Sequence, residues 1–201
     1  MKINVAQAKK LIKLARDTIS AYFKGNEPAV SEDLRKEFSE KQGAFVSVYL
    51  KEELNGCIGI TTQNLPLYRV IMHCAKAAAF EDPRFPPLLP KQFKDIVIEI
   101  SILTPIEPIE LKKDPSEYFK AIKIGRDGLM VKDQFGSGLL LPQVAVEWGW
   151  DVKEFLKQTC IKAGLDPDCW NNMRRNVYKF QAQVFTEKGR KVIEKRLKLK
   201  S

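Results

Sequence analysis

Ala44-Phe45-Val46-Ser47-Val48-Tyr49-Leu50, followed after Lys51-Glu52-Glu53-Leu54-Asn55 by Gly56-Cys57-Ile58-Gly59-Ile60-Thr61-Thr62, reads as two strands joined by a polar turn. β-Branched and aromatic residues fill the first run, and the glycines of the second mark a bulge or a close backbone approach. A hairpin here commits the chain to antiparallel pairing, because a parallel neighbour needs a crossover of about a dozen residues.

Upstream of the hairpin, Val5, Ala8, Ile12, Ala15, Ile19 and Tyr22 recur at helical spacing. Asn4 with Gln7 has the form of a capping box, and Gly25 stands where that helix would stop. Ser31 to Phe38 has a weaker helical pattern. Downstream, Pro66 suits the first turn of a helix whose stripe is Leu67, Val70, Ile71, Cys74, Ala75, Ala78 and Ala79. The prolines of Glu81-Asp82-Pro83-Arg84-Phe85-Pro86-Pro87-Leu88 exclude both helix and central strand, so a stiff loop is expected. Ile96, Ile98, Ile100 and Ile102 alternate as in a strand. Asp114 and Asp151 each cap a helix with a glutamate three residues on, the second running to Gly164. The segments 122–126 and 129–132 flank Asp127-Gly128, which predicts a tight hairpin turn. Gly136 to Leu141 supplies another strand, and Tyr178, Phe180, Ala182 and Val184 alternate with Lys179, Gln181 and Gln183 in a late strand with one wet face. Hairpins joined by helices, without regular βαβα alternation, predict an α+β fold of two packed subdomains, with mainly antiparallel sheets flanked by helices. Thr104-Pro105-Ile106-Glu107-Pro108 is the candidate linker.

At 201 residues the chain is long enough to bury a full core without staples. Cys57, Cys74, Cys160 and Cys169 form no C-x-x-C pair, and the charged amphipathic start does not resemble a signal peptide, which predicts free thiols and a cytoplasmic protein. No apolar run reaches membrane-spanning length, since Glu99 interrupts the greasiest stretch, Ile96 to Leu103. The net charge of +9 is concentrated in Lys188 to Ser201, where Glu194 is the single acid. Such a segment is either a solvated helix end or a phosphate-binding tail. It carries no interleaved aromatic residue for base stacking.

His73 is the only histidine, which excludes a multi-histidine metal site and leaves one possible Cys–His pairing, with Cys57. Neither glycine-rich phosphate motif occurs, so no cofactor and no metal is expected. Three features are left over: the Gly56-Cys57-Ile58-Gly59 strand, the proline-stiffened loop with Asp82 and Arg84, and Glu147 in Glu147-Trp148-Gly149-Trp150-Asp151. Brought together, they would place a thiol, a guanidinium and carboxylates beside aromatic walls. A bland reading stands beside this one, in which Cys57 is a small apolar core residue of a bulged strand.

The same three features carry a family resemblance. Leu54-Asn55-Gly56-Cys57-Ile58-Gly59 resembles the L-R-G-C-I-G signature of the AMMECR family, named from a human chromosomal region. Asp82-Pro83-Arg84-Phe85-Pro86-Pro87-Leu88 resembles its D-P-R-F-P-P-L loop, and Leu141-Pro142-Gln143-Val144 with Glu147 and Gly149-Trp150-Asp151 resembles its L-P-x-V…E-x-G-W-D block. The resemblance covers nearly the whole chain. It implies one AMMECR-type domain over 1–201, with a discontinuous larger subdomain of about 1–50 and 105–201, a smaller inserted one of about 51–104, and a cleft between them. It also implies a shared pathway with a Memo-like protein and a radical S-adenosylmethionine enzyme, and a fold like those that handle nucleotides or nucleic acids. Asn55 replaces the signature's arginine, so a planar five-donor group is missing there unless Arg84 supplies it.

Two functions are expected from these residues. In the first, Cys57 serves a pocket that binds or modifies a small molecule or nucleic-acid moiety, as nucleophile or redox-active thiol. Asn55, Gly56, Gly59 and Arg84 would then contact the ligand, while Asp82 or Glu147 supplies acid or base. In the second, the chain is a non-enzymatic module that uses its basic tail and Met173-Arg174-Arg175 to hold RNA or an acidic protein.

Overall fold

The computed structural model describes residues 2–134, 136–172, 176–189 and 191–195. In chain order the helices and strands are α1 (Val5–Phe23), α2 (Glu32–Glu37), β1 (Ala44–Leu50), β2 (Glu53–Ile60), α3 (Leu67–Phe80), β3 (Ile96–Leu103), β4 (Glu107–Pro108), α4 (Tyr118–Ala121), β5 (Asp127–Lys132), β6 (Ser137–Leu140), α5 (Pro142–Trp148), α6 (Val152–Lys162), β7 (Asn176–Lys188) and β8 (Lys191–Lys195). The fold is α+β with antiparallel pairing, as the hairpin spacing requires. Among the described residues no helix is long and apolar enough to cross a membrane.

The chain divides into two compact units. The first comprises Met1–Leu103 and Gln183–Lys195, and the second is built on Thr104–Ala182. This differs from an insertion of 51–104 into a larger subdomain. Val46 and Val48 of β1, the isoleucines of β3, and the stripes of α1 and α3 share one core, so the hairpin stays with the first helix. The boundary falls at the expected Thr104 linker, and β7 contributes its last residues to the first unit and its first residues to the second.

In the first unit α1 begins with the capping box of Asn4 and Gln7. Its buried face, Ala8, Leu11, Ile12, Ala15 and Ile19, packs with α3 against the side of β1 and β3 formed by Val46, Val48, Ile98 and Ile100. β1 pairs on one side with β2 and on the other with β3, and β8 pairs with the end of β7. The β1–β2 turn is tighter than the expected five residues. Leu50 pairs with Glu53, so Lys51 and Glu52 alone make the turn, both at positive φ (52° and 69°). Asn55 is passed over by the register as it shifts between Val48 and Tyr49, so the bulge falls on that residue.

The second unit has its own core of Leu129, Val131, Ala145, Phe155, Leu156, Trp170 and Val177. β5 pairs with β6 and with β7 from Asn176 to Gln181, and β4 pairs with the opposite edge of that same stretch, at Tyr178 and Lys179. Asp127-Gly128 is not a hairpin turn. Gly125 takes the left-handed conformation (φ 78°), and the segment 122–126 is not a strand. Asp127 opens β5 with its carboxylate turned back onto the Lys123 amide at 2.9 Å. Gly128 is needed for close approach, since a Cβ there would enter the Phe180 ring.

Two further expectations are corrected. Cys160 and Cys169 are joined by a disulfide, with Cα atoms 5.9 Å apart, because Gly164 turns the chain back at the end of α6; Cys57 and Cys74 remain free. The described part of the basic tail is not a helix end. It is strand β8, in which Lys191 to Lys195 pair back along Val184 to Lys188. Met173-Arg174-Arg175 and residues 196–201 lie outside the described residues.

Candidate functional site

Antiparallel register puts three polar side chains of the first unit in one row. Ser47 of β1 stands directly opposite Cys57 of β2 and, on its other side, directly opposite Glu99 of β3. Opposed residues share a sheet face. This face is the one turned away from α1 and α3, because the intervening Val46, Val48, Ile98 and Ile100 face those helices. The Ser47 hydroxyl donates to Cys57 Sγ at 3.1 Å. Glu99 is 4% exposed, and its carboxylate accepts a 2.8 Å bond from the Lys195 ammonium of β8. The row therefore runs thiol, hydroxyl, carboxylate, ammonium.

The proline loop grips the same strand from its edge. Asp82, at the end of α3, accepts from the Cys57 amide (2.9 Å), the Arg84 amide (3.2 Å), Arg84 Nε (2.9 Å) and Arg84 Nη2 (2.7 Å). Arg84 Nη2 also donates to the Cys57 carbonyl at 3.0 Å. Both backbone groups of Cys57 are thus taken by side chains, as a neighbouring strand would take them. The contact from Asp82 to the amide two residues on is an Asx turn, and Pro83 holds it by fixing φ. Arg84 keeps 54% of its side chain exposed and lies over the Phe85 ring at 5.3 Å, whereas the Asp82 side chain is 2% exposed.

These surroundings set the charges. Burial pushes the Cys57 thiol up, against smaller downward pulls from the Ser47 hydrogen bond and the Arg84 charge, so the group is a neutral thiol at pH 7. Cys74, in the core, is pushed up to about 12 by burial. The Arg84 side-chain hydrogen bonds hold the Asp82 carboxyl down at about 2, with the Cys57 amide helping. A carboxylate that accepts four bonds and titrates that low is ill suited to acid–base work near neutrality.

The glycines around Cys57 have packing reasons. A Cβ on Gly56 would run into the Ala78 carbonyl of α3, and one on Gly59 into the Phe45 ring. Asn55 leaves a buried Nδ2 without a partner among the described residues. The structure thus brings Gly56, Cys57, Asp82 and Arg84 together in the first unit, with Asn55 and Gly59 beside them in β2. Glu147 belongs to the second unit, exposed in the last turn of α5 next to Trp148, which stacks on Trp150 at 6.0 Å. His73 is exposed on α3, and the sulfur of Cys57 is partnered by Ser47 instead. Among the described residues, no group of three His, Cys, Asp or Glu side chains is placed to hold a metal ion.

Ser47, Glu99 and Lys195 are the additions that sequence spacing did not supply. Glu99 left a trace, as a carboxylate in opposite phase to the isoleucines of β3; which strands neighbour one another is not written in spacing.

A family model described as AMMECR1 matches residues 12–185. A protein from Methanothermobacter thermautotrophicus is 45% identical over 184 residues, covering 91% of this chain and 95% of that one. Protein MJ0810 from Methanocaldococcus jannaschii is 46% identical over 191 residues, covering 92% and 94%. The crystal structure of an uncharacterised protein, PH0010 from Pyrococcus horikoshii, is similar with a TM-score of 0.91 at 44% identity, covering 98% of this chain and 100% of that one.

Proposed function

The chain belongs to the AMMECR1 family, and from the geometry of its first unit we propose that it binds a small polar molecule, or a nucleic-acid moiety of that size, on the face carrying Cys57, Ser47 and Glu99. The row itself supports this reading. Three adjacent strands each spend a position on a polar group, and Ser47 and Glu99 are 8% and 4% exposed. Burying such groups costs stability that apolar residues in the same register would not, a pattern expected where a site is maintained for binding. Arg84 and Lys195, with 54% and 45% of their side chains exposed, offer donors, the buried Glu99 holds Lys195 in place from beneath, and the Cys57 thiol is a polarisable, neutral contact rather than a thiolate nucleophile. Asp82 acts through Arg84 by holding the guanidinium in place.

The test equilibrates the purified full chain with a metabolite extract, washes it and identifies the retained compounds by mass spectrometry, beside Ser47→Ala and Glu99→Gln. A compound kept by the parent and depleted by about tenfold or more in both variants supports the site. The same retained set in all three proteins, with circular dichroism showing that the variants fold, overturns it.

A further inference from the structure

The second unit holds a separate cavity of about 300 Å³, lined by Thr104, Pro105, Glu107, Arg126, Lys179 and their neighbours on β5 and β7. Arg126 is fixed there: Nε and Nη2 donate to the Asp127 carboxylate at 2.8 and 2.6 Å, and the Asp127 side chain is only 2% exposed. Asp127 is itself held by the Lys123 amide at 2.9 Å. The guanidinium is therefore held at two of its nitrogens. Its Nη1 has no hydrogen-bond partner among the described residues, and 44% of the side chain is exposed. Lys179 is tethered more loosely, by a 3.3 Å bond to the Ala121 carbonyl that leaves other N–H donors unused. Opposite Lys179 in the β4–β7 register stands Glu107, exposed, with no hydrogen bond or ion pair among the described residues.

The charges of this cavity have a pattern. Asp127 neutralises Arg126 without using all its donors, and Glu107 balances Lys179 across the register without bonding to it. A simple anion would meet the donors but also the Glu107 carboxylate; a simple cation would meet the reverse. We propose that this cavity binds a small zwitterion of the α-amino acid class. Its carboxylate is taken by Arg126 Nη1 and Lys179, and its ammonium faces Glu107. A volume of about 300 Å³ lies at the small end of ligand sites, which suits a ligand of this size. The Thr104–Pro105 corner supplies one wall, held by the Thr104 amide donating to the Gln181 carbonyl at 2.9 Å and the Gln181 amide donating to the Thr104 hydroxyl at 2.8 Å.

The experiment is ligand-observed NMR on the full chain with the standard amino acids as probes, and with acetate and methylammonium as single-charge controls. At least one amino acid is expected to bind with a dissociation constant of about 1 mM, about tenfold tighter than acetate. Glu107→Gln, at an exposed position, is expected to remove that advantage and leave acetate binding in place. Arg126→Gln is expected to abolish both, and Lys179→Met, which leaves the buried Asp127 pair intact, is expected to weaken both. Absence of saturation by any amino acid at about 10 mM overturns the proposal. So does acetate binding as well as its amino acid counterpart, or Glu107→Gln leaving the preference unchanged. Ser47→Ala and Glu99→Gln are expected to have no effect on this binding, so the two sites fail or stand separately.

Discussion

Each unit carries a buried aspartate clasped by a half-exposed arginine, and the two pairs use the same bonds for different ends. Asp82 and Asp127 both have side chains 2% exposed, and each accepts Nε and Nη2 of its arginine. Asp82 also accepts the amide of Cys57, 25 residues earlier on β2, whereas the shortest further bond to Asp127 comes from Lys123, four residues back. One pair ties a loop to the edge of a sheet; the other chiefly closes its own turn, with only a longer 3.4 Å bond from the Gln181 side chain reaching it from β7. The chemistry of a pair thus does not say what it organises. The sequence separation of the aspartate's shortest further bond does.

The glycines beside the two pairs are the harshest way to break the comparison. A Cβ on Gly56 meets backbone, the Ala78 carbonyl, while one on Gly128 meets the Phe180 ring. A ring can turn and a helix carbonyl cannot, so Gly56→Ala is expected to lose more than about 3 kcal/mol and Gly128→Ala about 2 kcal/mol. Urea unfolding of both variants measures the gap, and equal losses would mean that α3 yields as easily as a side chain.

Removing the carboxylates tests the tether directly. Asp82→Asn leaves the Arg84 charge without its partner and weakens the hold on the Cys57 amide, and is expected to cost about 3 kcal/mol, at the low end for a buried pair because Arg84 is half exposed. Asp127→Asn breaks local contacts and is expected to cost about 2 kcal/mol. Hydrogen exchange separates the two beyond magnitude: Asp82→Asn should speed exchange at the Cys57 amide, and Asp127→Asn only at Lys123 and its turn.

Acid reads the first pair without mutation. The folded Asp82 carboxyl titrates at about 2 against an ordinary 3.8. Because the folded value is depressed, the contribution is complete above the ordinary value and is lost as the pH falls through about 2. It amounts to about 2 kcal/mol. Stability measured between pH 5 and 2 should fall by about that much more in the parent than in Asp82→Asn. Parallel curves would place the pH dependence elsewhere.

The two pairs also mark what spacing can disclose. Helical periodicity and capping located α1, α3 and α6, and the isoleucine alternation located β3, since these signals lie within one element. Asp82 and Arg84 stood out because a run of prolines has few structural uses, and Cys57 because of its glycines. What those residues touch was less visible. Ser47, Glu99 and Lys195 join Cys57 only through cross-strand register, and Lys195 looked like one more lysine of a basic tail. Asp127-Gly128 misled for the opposite reason: it carries the strongest turn signature, yet its aspartate is needed as an arginine clasp and its glycine as a seat for Phe180.

The true tight turn is at Lys51-Glu52, where neither residue favours the positive φ it adopts. Asn-Gly accepts that geometry, so the double substitution Lys51→Asn with Glu52→Gly is expected to stabilise the protein by about 1 kcal/mol, the relief of strain outweighing the added freedom of the unfolded chain. The matching exchange at the false turn, Asp127→Asn, is expected to destabilise, so one residue type acts with opposite signs at the two places. Thermal unfolding of the two variants checks this. A hairpin variant no more stable than the parent would mean that the Lys51 and Glu52 side chains contribute contacts worth as much as the strain, and would move the search for their role to the cavity that Lys51 lines with Lys91 and Lys94.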